Sequence, residues 1–280
     1  MRKISLENII AAVDDLPALP HVVTKVIELT EDPNSTAEDI NKVLSVDQAM
    51  TARVLRLANS AFYGFPRRIG TITEAIVMLG FRTIKSIVMA ATVSEILTQE
   101  MKGYALENGE LWKHSQGVAM TARHIARKVK FAQLDLAYTA GLLHDIGKVI
   151  LNNAMIESYN EVVNLVMEEN ITFLEAEVKV LGFSHADVGS RVAEKWNLPS
   201  DLVEAIAYHH KPDEAVVNQR LTAIVHLADF ICVTMGIGIG VDGMLYSISQ
   251  DALDLFGLED EDIQIMISEL VDIFSDQQSF

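Results

Sequence analysis

The chain has 280 residues, half of them hydrophobic and 22% charged, which is the balance of a globular protein. Asp and Glu number 39 against 22 Lys and Arg, which gives a formal net charge of −17. Because so acidic a surface repels phosphate backbones and anionic lipids, we expect no nucleic-acid partner and no membrane partner. Cys232 is the single cysteine, which excludes an intramolecular disulfide and a thiolate-rich zinc site. The first residues lack the apolar segment of a signal peptide, so we expect a cytoplasmic protein.

Apolar residues recur at helical spacing along the chain, and no alternating strand pattern exceeds four residues. In the first hundred residues the predicted helices cover 6–13, 21–30, a segment opened by a Ser35–Glu38 capping box, a segment from Asp47, a segment opened by Thr71 and Glu74, and 82–97. Residues 59–70 are predicted to form a loop. Its aromatic residues and two arginines either form a binding surface or hold the loop on the core, and the sequence leaves both open.

Residues 101–109 contain two glycines and no apolar periodicity, so we place a domain boundary there and predict domains at 1–100 and 101–280. The later predicted helices cover 111–129, 133–143, a segment through 159–169, 172–180, 185–196, 199–209, 221–235, 250–256 and 260–274. The predicted class is therefore all-α, with an N-terminal helical bundle followed by a second one. Gly238, Gly240 and Gly243 match the spacing of a dinucleotide fingerprint, which we reject because no strand–turn–helix pattern surrounds it.

Seven of the eight histidines lie in the second predicted domain. His144 and Asp145 are adjacent, as are His209 and His210, and Asp229 lies in an apolar helical segment. A single buried histidine is usually a hydrogen-bonded core residue, and a buried Asp can be part of a salt bridge. The set as a whole favours a metal site, because imidazole and carboxylate suit divalent Fe, Mn, Zn, Ni or Co, and helical bundles hold di-metal sites in their interior.

The run from His144 to Gly147 resembles the His-Asp signature of the HD metal-dependent phosphohydrolases. His185, His209 and His210 are similar in position to the extra ligands of the HD-GYP branch, the cyclic-di-GMP phosphodiesterases. This resemblance implies a ligand set of His114, His144, Asp145, His185, His209, His210 and Asp229. It further implies that Asp145 bridges two ions, which lower the pKa of a bridging water and clamp phosphate oxygens.

In such an enzyme His144, Asp145 and Lys148 would be the catalytic residues. Lys148 either meets a phosphate as a point charge or is a solvated lysine near a helix end. Two further residues stay open in the same way. Glu110 is either an additional ligand or a solvated helix charge, and His226 is either a partner of the ligand Asp229 or a packing residue.

A closer resemblance is to the HDOD family, the HD-related output domains of bacterial signalling proteins. Its motifs are similar to residues 16–20, 47–64 and 72–82, and the resemblance extends from about residue 16 to residue 208. It implies an N-terminal helical half followed by an HD-like half. Many members of this family have lost the metal ligands and are regarded as regulatory modules, whereas this chain keeps a full set by position. The chain also lacks the Gly-Tyr-Pro element of the HD-GYP branch.

We therefore expect a bacterial signal-transduction protein that binds a partner protein or a nucleotide-type ligand and retains a mononuclear or dinuclear site for Fe, Mn, Zn or Ni. One alternative is a metal-dependent phosphohydrolase that acts on a nucleotide or cyclic dinucleotide. A second alternative is a metal-free interaction module whose histidines satisfy one another. The sequence leaves the oligomeric state open.

Overall fold

A computed structural model describes residues 18–275 of the chain. Within this range the regular structure is helical, and the β-type pairing is an isolated bridge between Met101 and Leu106, which confirms the all-α class. The helix predicted for residues 6–13 lies outside the described residues. The described residues form two units, and we call residues 18–95 with 269–275 the first unit and residues 96–268 the second unit.

The first helices in chain order are α1 (His21–Glu31), α2 (Ala37–Leu44), α3 (Gln48–Ala58) and α4 (Ile72–Leu97), with a 3₁₀ turn at Ala61–Tyr63. The capping box of α2 is formed by Thr36 and Asp39, one residue later than predicted. The reason is that Ser35 still belongs to the preceding turn, where its N–H donates to the carbonyl of Asp32 at 3.1 Å.

The loop between α3 and α4 is held on the core of the first unit. The Asn59 amide donates to the carbonyl of Ile69 at 2.9 Å, and its oxygen accepts from the N–H of Ile69 at 2.7 Å. Tyr63 and Phe65 pack against the hydrophobic cluster of this unit. These contacts favour the interpretation in which the loop's aromatic residues serve packing.

Helix α4 is the one helix of the described part that is long and apolar enough, by length and composition, to cross a membrane. Its backbone leaves the helical region at Gly80 (φ 81°, ψ 164°), so α4 consists of two shorter helical pieces. The most apolar window is 56% buried, and Ile84, Ile87 and Val88 belong to the core cluster of the first unit. These features are typical of a core helix.

The later helices are α5 (Glu110–Lys128), α6 (Leu134–Leu143), α7 (Gly147–Glu169), α8 (Phe173–Leu181), α9 (His185–Lys195), α10 (Ser200–Tyr208), α11 (Gln219–Thr234), α12 (Gln250–Asp254) and α13 (Asp260–Ser275). Short 3₁₀ turns lie at Lys102–Tyr104, Pro212–Glu214 and Val241–Gly243.

Two glycines let helices of the second unit approach one another closely. A Cβ atom on Gly141 of α6 would lie 2.9 Å from the Val118 carbonyl oxygen of α5. A Cβ atom on Gly147 of α7 would lie 1.9 Å from the carbonyl oxygen of His185, the first residue of α9. Because neither position has room for a side chain, the glycines set the distance between α5 and α6 and the distance between the start of α7, just after Asp145, and the start of α9.

Candidate metal centre

The second unit brings the seven predicted metal ligands together in its interior. They are His114 on α5, His144 at the end of α6, Asp145 in the turn that follows, His185 at the start of α9, His209 and His210 at the end of α10, and Asp229 on α11. His210 is half-buried, and each of the other six is at most 4% exposed.

Asp145 lies at the middle of the cluster, and its two carboxylate oxygens face different histidines. Oδ2 is 3.3 Å from Nε2 of His144 and 3.6 Å from Nε2 of His114. Oδ1 is 3.4 Å from Nε2 of His185 and 3.9 Å from Nε2 of His209. This carboxylate can therefore serve two neighbouring ions at once.

The other ligands form two groups, one on each side of Asp145. We call them site A, which consists of His114, His144 and Asp229, and site B, which consists of His185, His209 and His210. In each site the candidate donor atoms all lie within 4.8 Å of one another. Five imidazoles and two carboxylates without a thiolate form a donor set that suits divalent transition metals.

His144 and His209, each at the end of a helix, are oriented by the same kind of hydrogen bond. Nδ1 of His144 is 2.7 Å from the carbonyl oxygen of Gly141, and Nδ1 of His209 is 2.8 Å from that of Ile206, three residues earlier in each case. A carbonyl oxygen accepts only, so in the neutral form of each ring Nδ1 carries the proton and Nε2 presents its lone pair to the cluster. The last carbonyls of α6 and α10 thus orient both rings.

The other two Nδ1 atoms with a fixed partner contact more distant parts of the chain. His114 Nδ1 is 2.9 Å from the Ile237 carbonyl oxygen, and His185 Nδ1 is 2.8 Å from Oε2 of Glu177. Glu177 is missing from the sequence-based set. The available signal was its position between Phe173 and Leu181, four residues from each, on the apolar face of α8.

The buried cluster leaves two polar atoms unsatisfied. Nε2 of His144 and Nε2 of His209 are buried and have no hydrogen-bond partner in the described part of the chain. Buried polar atoms are nearly always satisfied in folded proteins, so these lone pairs need a partner. A divalent cation between the imidazoles and carboxylates would supply one, and the residues therefore fit the metal that the chemistry of the set implies.

The carboxylates and imidazoles of the cluster shift one another's pKa values. Burial, together with the nearby His144, lowers the pKa of His209 to about 3, so this imidazole is neutral. Burial alone would raise the pKa of Asp145, but His144 and Lys148 outweigh it and hold this pKa well below its usual range. For Asp229, the hydrogen bond from His114 likewise outweighs burial and lowers the pKa. For His144, burial would lower the pKa, but Asp145 and Asp229 outweigh burial and raise it to about 10. Metal ions bind ionised carboxylates and neutral imidazoles, so an ion at site A would displace the proton of this ring.

Lys148 is 2% exposed and forms ion pairs with Asp145 and Asp242. Its ammonium group also lies 5.7 Å from the centre of the Tyr104 ring. Burial would lower its pKa, but the two carboxylates outweigh burial and raise it, so the ammonium stays charged. Lys148 is therefore a buried part of the centre, and the solvated alternative is wrong.

The structure also shows the surroundings of Glu110 and His226, whose roles the sequence left open. Glu110 is half-buried, keeps 37% of its side chain exposed and pairs with Lys113 at 3.6 Å, which favours the solvated helix charge over a ligand. His226 supports site B: its Nδ1 donates to the carbonyl of His209 at 2.8 Å, and its Nε2 accepts from the N–H of Ser249 at 2.9 Å. His226 therefore positions a ligand other than the neighbouring Asp229.

Residues 236–246 cover the cluster. The Ile237 carbonyl holds His114, Asp242 pairs with Lys148, and the Tyr246 ring lies 5.2 Å from that of His210. A Cβ atom on Gly238 would lie 2.3 Å from the Glu110 carbonyl oxygen, so this glycine is required for close approach. Close packing therefore explains one of the three glycines whose spacing matched a dinucleotide fingerprint.

The half-buried His210 borders a groove of about 330 Å³ between α8, α9 and α10. Leu174 and Val178 form an apolar wall of the groove, and Lys179 and Lys211 lie along it. A small molecule in this groove would reach the cluster at His210.

The second unit is all-helical and holds the adjacent pairs His144-Asp145 and His209-His210 at helix ends, as the resemblance to HD-type domains predicts. The HDOD domain model matches residues 16–212, and the chain belongs to the HDOD family. This finding confirms the family that the sequence motifs predicted.

Three relatives illustrate the similarity. An HDOD domain protein of unknown function from Geobacter sulfurreducens is 30% identical with a TM-score of 0.78, over 96% of this chain and 93% of its own. A proposed phosphohydrolase of Shewanella amazonensis SB2B is 25% identical with a TM-score of 0.72, over 95% and 93%. An uncharacterized protein of Treponema pallidum (strain Nichols) is 27% identical over 199 residues, 71% of this chain. The match spans 38% of the length of the Treponema protein.

Proposed function

We propose that this protein is a signal-transduction protein that binds a divalent transition metal in sites A and B and presents its metal-loaded state to a partner protein or a nucleotide-type ligand. The observation that carries the proposal is the convergence of seven ligand side chains around two buried, unsatisfied imidazole nitrogens, those of His144 and His209. Membership of the HDOD family supports the regulatory class.

In this proposal Asp145 bridges the two sites, with Oδ2 toward site A and Oδ1 toward site B. The imidazole-rich, thiolate-free donor set suits Fe, Mn, Zn or Ni. A bound ion would polarise phosphate oxygens and lower the pKa of a coordinated water. The chain's own contribution is to fix the imidazole tautomers, to keep the carboxylates ionised and to exclude solvent from the centre.

The burial of the centre supports binding over turnover. Asp145 is 1% exposed, and Lys148, which would contact a phosphate, pairs instead with Asp242. A phosphoester would reach these atoms only after residues 236–246 had moved. The groove beside His210 offers a ligand a place at the edge of the centre without such movement.

A metal-dependent phosphohydrolase acting on a nucleotide or cyclic dinucleotide is the second candidate. The bridging position of Asp145 favours it, because two ions that share a carboxylate form the clamp used in phosphoester displacement. The name of the Shewanella relative points in the same direction. In this case Lys148 would exchange its contact with Asp242 for one with the substrate phosphate.

The test is the metal content per chain of untagged protein reconstituted anaerobically with Fe(II), Mn(II) or Zn(II). The loss variant is the double change His144→Ala/Asp145→Ala. The matched control is His124→Ala, which removes an imidazole outside both sites. We expect up to two ions in the wild type and in the control, and none in the double variant. Absence of metal from the wild type would overturn the proposal.

Turnover separates the two candidates. Metal-loaded protein is assayed with bis(p-nitrophenyl) phosphate and with cyclic dinucleotides, and nucleotide binding is measured in parallel by calorimetry. Binding without turnover supports the regulatory function. Turnover that is lost in Asp145→Ala establishes the phosphohydrolase and overturns the regulatory proposal.

A further inference from the structure

Glu177 on α8 is a fully buried carboxylate whose hydrogen bonds converge on one metal ligand. Its Oε2 accepts from the backbone N–H of His185 and lies 2.8 Å from Nδ1 of the same residue. Its Oε1 accepts from the hydroxyl of Tyr104 at 2.7 Å. The side chain of Glu177 is 0% exposed, so these contacts are made in the dry interior.

This arrangement distinguishes His185 from the other oriented ligands. Nδ1 of His114, His144 and His209 each faces a neutral backbone carbonyl, whereas Nδ1 of His185 faces a carboxylate. A carboxylate that accepts from Nδ1–H makes the imidazole a stronger metal ligand and fixes its orientation. Among these four histidines, His185 is therefore the one whose Nδ1 contacts a charged side chain.

The two sites also differ in charge. Site A holds Asp229 beside the shared Asp145, whereas site B consists of three imidazoles and has only the shared carboxylate. Glu177 contacts Nδ1 of His185, so its negative charge acts on site B through this imidazole. With Glu177 included, each site has one carboxylate of its own.

We infer that Glu177 is a positioning residue that makes site B competent to hold its ion by orienting and polarising His185. This inference rests on the proposed metal binding. It predicts that the two ions depend on different carboxylates, the ion at site B on Glu177 and the ion at site A on Asp229.

The test is Glu177→Gln in the full chain, titrated with Mn(II) and followed by stoichiometry and electron paramagnetic resonance. Two Mn(II) ions that share Asp145 give a coupled signal, and one ion alone gives an isolated signal. We expect the affinity of site B to fall by about ten- to hundredfold while site A keeps its affinity. At a Mn(II) concentration that just saturates the wild type, the variant should hold one ion and show the isolated signal.

Glu204→Gln is the matched control. Glu204 is also a buried glutamate of the second unit, but the hydrogen bonds that it accepts within the described residues come from the backbone N–H groups of Val216, Val217 and Asn218. Its substitution should lower the stability while both ions and the coupled signal remain. This control separates a loss of stability from a loss of site B.

Tyr104→Phe is the second variant and decides the matter if Glu177→Gln does not fold. It removes only the hydroxyl that anchors Oε1, so we expect a smaller fall in the affinity of site B and none at site A.

If both ions bind with unchanged affinity in Glu177→Gln, or in Tyr104→Phe where that variant decides, the inference is overturned and metal binding stands. Equal loss at both sites also overturns it, since Glu177 would then be merely structural. A wild type without metal overturns the proposed function and this inference together.

Discussion

Replacement of Gly147 by alanine tests whether the packing of α7 on α9 sets the geometry of the centre. The added Cβ would lie 1.9 Å from the His185 carbonyl oxygen and 2.6 Å from the Gly189 nitrogen, both backbone atoms that no side-chain rotation can move. Ordinary contact begins at 3.4 Å, so the start of α9 must retreat by about 1.5 Å.

That displacement matters more for metal binding than for the fold. Overpacking of this kind costs about 3 kcal/mol, the upper end of the usual range, because the clash is with backbone. Metal ligands, however, tolerate displacements of only about 0.2 Å. Asp145 Oδ1 and His185 Nε2 are now 3.4 Å apart, and a shift of α9 would take His185 out of reach of an ion held by Asp145.

The assay combines the free energy of unfolding in urea with metal content per chain. We expect Gly147→Ala to fold with reduced stability and to lose the ion at site B. The control is Gly257→Ala, where φ is 63° and no atom lies within 4 Å of the added Cβ, so only backbone strain of about 1–2 kcal/mol is introduced. A Gly147→Ala protein with the wild-type urea midpoint and full metal content would refute the reasoning.

Three further outcomes follow from the same contacts. Leu44→Ala should cost about 2–5 kcal/mol of unfolding free energy, because Leu44 is 0% exposed in the core of the first unit, yet metal content should stay unchanged because the ligands all lie in the second unit. Asp242→Asn should speed the removal of metal by a chelator, measured by stopped flow, because it weakens the ion pair that ties residues 236–246 to Lys148; an unchanged rate would argue against a covering role. Cys232 should resist thiol reagents at pH 8 until the protein unfolds, since burial raises its pKa to about 12 and the helix excludes the reagent; rapid labelling of native protein would contradict this.

Much of the fold could be predicted because helix formation is local. Apolar spacing predicted helices at 21–30 and 185–196, and the structure has them at His21–Glu31 and His185–Lys195. The details of helix starts were less certain, as the shift of the capping box from Ser35 to Thr36 shows. Two polar residues with capping potential stood side by side there, and the bond between Ser35 and Asp32 in the preceding turn decided between them.

The residues that contact the candidate ligands could not be predicted from the sequence in the same way. Glu177 and Asp242 are acidic residues in an acidic chain, and the spacing of Glu177 from Phe173 and Leu181 is the one sequence feature that separates either of them from a solvated charge. His226 is close in sequence to Asp229, but its ring bonds to the carbonyl of His209. Neighbours along a helix are set by the 3.6-residue period, whereas these contacts join different helices.

The sequence by itself determined the all-α class, the HDOD family and the identity of the candidate ligands, because periodicity, motif and residue chemistry are written along the chain. Only the tertiary structure decided that Asp145 faces two sites, that Lys148 is held between Asp145 and Asp242, and that Glu177 stands behind His185. The physical reason is that most of these contacts join residues far apart in the sequence, as Lys148 and Asp242 are at a separation of 94 positions. The packing of helices at glycines such as Gly147 fixes the distances between them.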